Sequence, residues 1–155
     1  MRRKDREITD IEKMLKIMNE CDCCRLGLVD KDVAYIVPMN FGYEVQQDKI
    51  TLYFHGAVEG RKIDLLKKNA NVTFEMDTKH ELVTADKACG YSYLYQSVMG
   101  TGKASFVTSA NDKADGLTKI MERYTQKSQW NFEPKVLDRT AVIKLEVSEW
   151  SCKEH

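Results

Sequence analysis

The chain has no excess of either charge: 24 Lys and Arg stand against 24 Asp and Glu in 155 residues. That balance argues against a general nucleic-acid binder and against a protein drawn to anionic membranes, while leaving room for a local basic pocket. No apolar run is long enough to cross a bilayer. The basic start from Met1 to Glu7 is not followed by an apolar segment, so the expectation is a cytoplasmic protein rather than an exported one. Five cysteines is an odd number, and Cys21, Cys23 and Cys24 crowd together, which fits reduced thiols rather than a disulfide framework. There is no internal repeat, low-complexity stretch or linker, and the length suits one domain over residues 1–155. A Ser-His-Asp arrangement is missing. Gly100-x-Gly102 has no helix start behind it, which rules out a dinucleotide-binding fingerprint. Glu75, Asp77 and Glu81 offer no catalytic pair.

What is present is a series of short alternating runs with a few helical patterns. Thr9 to Glu20 reads as a helix, with Thr9 and Glu12 at capping-box spacing and Ile11, Met14, Leu15 and Met18 on one face. Cys24 to Val29 and Val33 to Glu44 read as a hairpin around Asp30-Lys31-Asp32. A polar turn from Val45 to Asp48 leads into a strand from Lys49 to His55, with Ile50, Leu52 and Phe54 on one side. Gly60 to Lys68 is a short helix with Ile63, Leu66 and Leu65 inward, cations at its end and Asn69 to stop it. Asn71 to Met76 is a strand, and His80 to Gly90, of mixed polarity and without a clear period, a loop with some strand. Tyr91 to Val107 is a long or bent strand in which Gly100 and Gly102 mark a bulge or close backbone approach. Ser109 caps a helix to Thr125 whose stripe is Leu117, Ile120, Met121 and Tyr124. A loop, or a turn of helix around Pro134, from Gln126 to Val136 precedes a closing strand from Thr140 to Val147, with Ala141, Ile143 and Leu145 on one face and Val142 and Val147 on the other. Short connections without repeated crossover helices predict a mainly β fold, an antiparallel barrel with peripheral helices.

Four segments carry chemistry. Tyr53 to Leu66 places His55 at the end of an apolar run, then a Gly-containing turn, then Arg61 and Lys62 at a helix start. Free N–H groups there attract an anion and two cations strengthen the attraction, so the pair suits a phosphate clamp. On the residues alone it suits a solvated helix face more often, and His55 suits a strand-end imidazole satisfied by a carbonyl. Tyr35 to Tyr43 is a strand broken by Pro38, which lacks an N–H, and by Gly42, which permits close approach. Tyr95 to Gly102 supplies Ser97 and Val98. Cys21 and Cys24 share the two-residue gap of Cys152 and His155, a spacing known from zinc knuckles. One pair sits at a helix-to-strand junction and the other at a C-terminus expected to be disordered, so no metal site is assigned. Packing is the default for Cys89, and Trp130 and Trp150 read as core or interface residues.

In their order, Arg25-Leu-Gly-Leu28, Pro38-Met-Asn-Phe-Gly-Tyr43, Tyr53-Phe-His-Gly-Ala-x-Glu-Gly-Arg-Lys62 and Tyr95-x-Ser-Val-x-Gly-x-Gly102 resemble the pyridoxamine 5′-phosphate oxidase-like FMN-binding split-barrel superfamily, nearest its nitroimidazole-resistance (Nim-type) branch. The resemblance implies a split β-barrel that binds FMN non-covalently and forms a homodimer with flavin sites at the subunit interface. It implies phosphate binding by Arg61 and Lys62 and ring contacts from Val37, Pro38, Met39, Asn40, Ser97 and Val98. His55 would be the catalytic, substrate-side residue. The implied chemistry is reduction of a small organic acceptor such as a nitro compound, with NAD(P)H or another donor. Pyridoxamine 5′-phosphate oxidase activity is the nearest alternative, but the chain ends Glu149-Trp-Ser-Cys-Lys-Glu-His155, without the Arg-rich tail of those oxidases. A deazaflavin in place of FMN, a non-catalytic flavin or haem carrier or sensor, and a metal-stapled interaction domain are the other readings.

Overall fold

The computed structural model describes residues 3–125 and 127–155. It contains strands β1 (Glu7–Ile8), β2 (Cys24–Asp30), β3 (Val33–Met39), β4 (Gly42–Gln46), β5 (Lys49–Ala57), β6 (Asn71–Val83), β7 (Ser92–Val107) and β8 (Thr140–Glu154). The helices are α1 (Ile11–Glu20), α2 (Arg61–Lys68), α3 (Ala110–Thr125) and α4 (Pro134–Asp138). All strands join one antiparallel sheet in the order β3-β2-β6-β7-β8-β5-β4, with β1 added on β8. The two ends of that order, β3 and β4, are linked by only Asn40 and Phe41, so the sheet curls back on itself as a split barrel.

Turn chemistry sets the register of two hairpins. Gln47 and Asp48 both take positive φ, 48° and 66°, the geometry that suits a two-residue hairpin, and Gln46 pairs with Lys49. Lys31, at φ 57°, turns β2 into β3 and pairs Asp30 with Val33. Alternation then sends Leu26, Leu52, Phe54, Phe74, Met76, Val98, Ile143 and Leu145 into one core, with Met14, Ile17 and Met18 of α1 and Ile63, Leu65 and Leu66 of α2 packed onto it. A second, smaller core lies outside the barrel wall, where Leu117 and Ile120 of α3 and Leu137 of α4 cover Tyr53 and Val142.

Several elements differ from the sequence expectation. The α1 cap is Asp10, whose Oδ1 accepts from Lys13 N at 2.8 Å, and Thr9 lies outside the helix. The strand expected from Val33 to Glu44 is two strands, broken where Phe41 turns into the core. β6 runs past the expected end at Met76 to Val83 through a register shift between Thr78 and Glu81, so the strand part of the expected His80–Gly90 segment is its start. Val147 packs on the Ala141, Ile143 and Leu145 core rather than with Val142, because the register slips only beyond it, opposite Thr101 and Gly102. That slip is the expected bulge, and a Cβ on Gly100 would lie 2.5 Å from Phe74 Cζ. β8 then continues to Glu154, so the C-terminus is ordered strand: Cys152 is fully buried, and Ser92 Oγ and Arg6 Nη2 lie 2.6 and 3.0 Å from His155 Nε2. Ser109 caps α3 as expected, accepting from Asp112 N at 3.1 Å, but Tyr124 at the end of the stripe is exposed. Of the segment from Gln126, that residue lies outside the described ones, and the turn of helix expected around Pro134 is α4, which Pro134 opens.

Candidate functional site

Gly60 stands before α2 at φ 122°, a backbone state that side chains with a Cβ rarely adopt, and no side chain caps the helix. The first N–H groups of α2 are thus left for a solvent or ligand acceptor. Gly60 O takes only the N–H groups of Ile63 and Asp64, at 2.9 and 3.1 Å. Burial of Ile63, Leu65 and Leu66 anchors the helix on the barrel and leaves Arg61 exposed and Lys62 half-buried at its head.

Lys62 lies across β5. Its Nζ donates to Met39 Sδ at 3.3 Å, and a Cβ on Gly56 would meet Lys62 Cε and Nζ at 2.8 Å. Glycine after His55 is therefore what lets the ammonium rest on the strand. His55 is an exposed residue paired with Val142 of β8. Although the residue as a whole is exposed, partial desolvation of the ring first, and the Lys62 charge second, lower its pKa from the usual 6.5 and so favour the neutral imidazole. Arg61 turns the other way. Its Nε and Nη2 donate to Asp30 Oδ2 at 3.0 and 2.6 Å, and its guanidinium lies 4.6 Å from the centroid of the Tyr35 ring.

The β3 end supplies the neighbouring wall. Met39 is buried, Val37 half-buried, and Pro38 and Asn40 exposed. The backbone N–H of Phe41 donates to Tyr124 Oη at 3.3 Å, and the Arg123 guanidinium stacks 4.1 Å over the Phe41 ring. The same guanidinium bonds to the carbonyls of Met18, Asn19 and Cys21 at the end of α1. The connection bearing Asn40 is thus held by two side chains of α3, one of which is itself tied to the end of α1.

Arg61, Lys62, His55 and Met39 come together around the start of α2. Ser97 and Val98 do not join them within one chain. Ser97 is half-buried between Asp77 and Lys153, in a shallow cleft with Glu7, Met99 and Ser151. Val98 is enclosed in the barrel core between Met76 and Cys152, so only Ser97 of the two faces outward.

Sequence reasoning missed Asp30 and Tyr35 as partners of Arg61. Their only signal was a hairpin tip rich in Asp, and nothing in the spacing brings Asp30 to a residue 31 positions on. It also missed a cleft of about 620 Å3 between α3 and the sheet, lined by Glu44, Tyr53, Lys119 and Lys144 among others but by none of the expected site residues. There Tyr53 Oη donates to Glu44 Oε1 at 2.5 Å and Lys119 Nζ pairs with Glu44 Oε2 at 2.8 Å. Burial and the Glu44 carboxylate raise the phenol well above its usual 10. Desolvation pushes Glu44 upward, but its bonds from Lys119 and Tyr53 outweigh that, and its pKa is lowered. Among the described residues no cluster of His, Cys, Asp and Glu could hold a metal ion, and no helix is long and apolar enough to cross a membrane.

The family profile of pyridoxamine 5′-phosphate oxidase matches residues 10–154. The chain belongs to the pyridoxamine 5′-phosphate oxidase family. Within that family's fold it is similar to a proposed 5-nitroimidazole antibiotic resistance protein from Bacteroides thetaiotaomicron, at 34% identity over 96% of this chain and 86% of that one, with a TM-score of 0.84. The flavocytochrome Anf3 from Azotobacter vinelandii shares the fold at 22% identity over 100% and 72% of the two chains, TM-score 0.83. A FAD and haem binding protein from Mycobacterium smegmatis does so at 18% identity over 96% and 73%, TM-score 0.81. A search of curated proteins gave no match.

Proposed function

We propose that this member of the pyridoxamine 5′-phosphate oxidase family binds FMN at the head of α2 and reduces a small organic acceptor such as a nitro compound. The observation that carries the reading is Lys62 resting on Gly56 beside His55, next to Arg61 at an uncapped helix start. Two cations and free N–H groups fit a phosphate, and the cradle at Gly56 is one that a Cβ would fill. The 34% identity to a proposed nitroimidazole resistance protein supports the acceptor class.

Arg61 and Lys62 would hold the phosphate. Val37, Pro38, Met39 and Asn40 would line the ring, with Asn40 the outward polar group. Ser97 lies apart from this group, which favours a homodimer in which a second copy presents Ser97, with Val98 fixing its strand from behind. Exposed Ile36 and Met99 on the outer barrel face suit such an interface. When bound, the flavin supplies the electron transfer, from NAD(P)H or another donor. Neutral His55 would accept a hydrogen bond from the substrate side, and it delivers a proton only after taking one up.

An absorbance spectrum of purified protein, with mass spectrometry of any molecule that heat releases, tests the cofactor. Released FMN supports the reading, and colourless protein that takes up no added FMN refutes it. His55→Ala should keep FMN and slow acceptor reduction; unchanged turnover removes His55 from the mechanism.

A further inference from the structure

We propose that Asp30 is an internal anion that competes with the ligand phosphate for Arg61 and so sets how tightly the site holds a phosphorylated flavin; the proposal rests on the phosphate role given to Arg61 above. The edge of the guanidinium best suited to a forked anion contact is Nε with Nη2. Both atoms are spent on a single oxygen, Asp30 Oδ2, at 3.0 and 2.6 Å. The Tyr35 ring backs the guanidinium at 4.6 Å, and Tyr35 and Asp30 belong to the two strands of the same hairpin. Arg61 is therefore docked on the β2–β3 hairpin by its charge and by its plane, while Lys62 rests on β5 with, among the described residues, the Met39 thioether as its hydrogen-bond partner.

Opposite formal charges on Arg61 and Asp30 leave Lys62 as the uncompensated cation of the pair. An arriving phosphate has two routes. It binds Lys62 and the α2 N–H groups beside a neutralised Arg61, or it takes the Nε–Nη2 edge and releases Asp30. On either route Asp30 opposes it, and the opposition grows with the negative charge of the ligand. A phosphomonoester carries about −1.5 to −2 at pH 7, whereas riboflavin carries no phosphate and is indifferent to the exchange. An alternative role for Asp30, holding Arg61 ready for the phosphate, makes the opposite prediction.

Asp30→Asn keeps the shape and removes the charge. It should tighten FMN binding about two- to fivefold, the range an exposed ion pair of up to about 1 kcal/mol can cover, and leave riboflavin binding unchanged. In an Arg61→Met background the gain from Asp30→Asn should shrink to the weak, salt-screened repulsion of the freed carboxylate, because the competition acts through Arg61. Binding is read by quenching of flavin fluorescence, and inorganic pyrophosphate titrated by calorimetry is a second probe without the ring. Weaker or unchanged FMN binding in Asp30→Asn overturns the proposal while leaving the flavin reading intact. So does an equal gain for riboflavin, or a gain undiminished in Arg61→Met at physiological salt. If neither protein takes FMN, the flavin reading falls, and pyrophosphate alone decides: tighter binding by Asp30→Asn upholds the competition, and no difference overturns it.

Discussion

Gly42 is the point where the β3–β4 connection meets α3, and it offers a calculable perturbation. A Cβ built on it would lie 2.5 Å from both Ile120 N and Lys119 C and 2.7 Å from Lys119 O. These are backbone atoms of a helix whose Leu117 and Ile120 are locked into the second core, so the strain cannot be relieved by rotating a side chain. Overpacking of this kind costs about 1–3 kcal/mol. A Gly-to-Ala change also gains about 0.4–1 kcal/mol by restricting the unfolded chain. Gly27 provides the matched control: it too is a strand glycine, and a Cβ there finds Thr73 O at 3.5 Å, ordinary contact. Gly27→Ala therefore carries the entropic gain almost alone. The difference between the two variants isolates the steric cost, and for a chain of 155 residues it corresponds to a melting midpoint lower by about 2–12 °C in Gly42→Ala. Thermal unfolding followed by far-UV circular dichroism reads it, with denaturant titration to check that both unfold in one step. Equal midpoints for the two variants would refute the argument, since α3 would then move away from β4 at no cost. Because Asn40 lies two residues before Gly42, Gly42→Ala should also weaken FMN binding at temperatures where it remains folded.

Other expectations follow from the same geometry. Lys62→Met should raise the His55 pKa, read by NMR titration of the imidazole, yet leave it below 6.5 because desolvation is the larger cause. The lowered folded pKa means the unfolded chain takes up the proton more readily. Wild-type stability should therefore fall as pH drops below 6.5, and His55→Gln should remove that part of the slope. Gly56→Ala should push the Lys62 ammonium off β5, weakening FMN binding about two- to fivefold with little change in melting midpoint, since the displaced atoms are the end of a flexible side chain. Burial pushes Cys21 up to about 12 and Cys152 up to about 11, and raises Cys24 further still, while Cys23 is half-buried and Cys89 exposed. A thiol reagent at pH 8 should modify only Cys23 and Cys89 until denaturant is added, and early reaction at Cys152 would contradict the packing of β8.

Local chemistry was readable from the sequence wherever it decided the structure. The β4–β5 hairpin, the Ser109 cap and the inward Ile50, Leu52 and Phe54 depend on a few adjacent residues, and all appear as expected. The expected boundaries failed where a distant partner took over. Residues 81–83 lie in a stretch of mixed polarity without a clear period yet pair with β7, and residues beyond Val147 find β7 on one side and β1 on the other. Tyr53 and Val142 look like outer-face residues but are buried, because α3 and α4 fold over them. At the site, the cations at the head of α2 were visible through the resemblance. The turning of Arg61 toward Asp30 was not, since it depends on how the β2–β3 hairpin leans over the helix rather than on any spacing along the chain.

β8 is flanked by β5 and β7 and carries β1 as well, so a strand near the middle of the sheet follows all its partners in the chain. While the protein is being made, β5 and β7 each present an open edge until residues 140–154 have left the ribosome. Those edges, Thr51 to Ala57 and Gln96 to Val107, hold their outer backbone N–H and C=O groups unpaired until β8 joins them, the kind of edge that pairs with other nascent chains. Translation speed and chaperone supply between the emergence of β7 and that of β8 should therefore govern the yield of folded protein more than the stability of the finished barrel does.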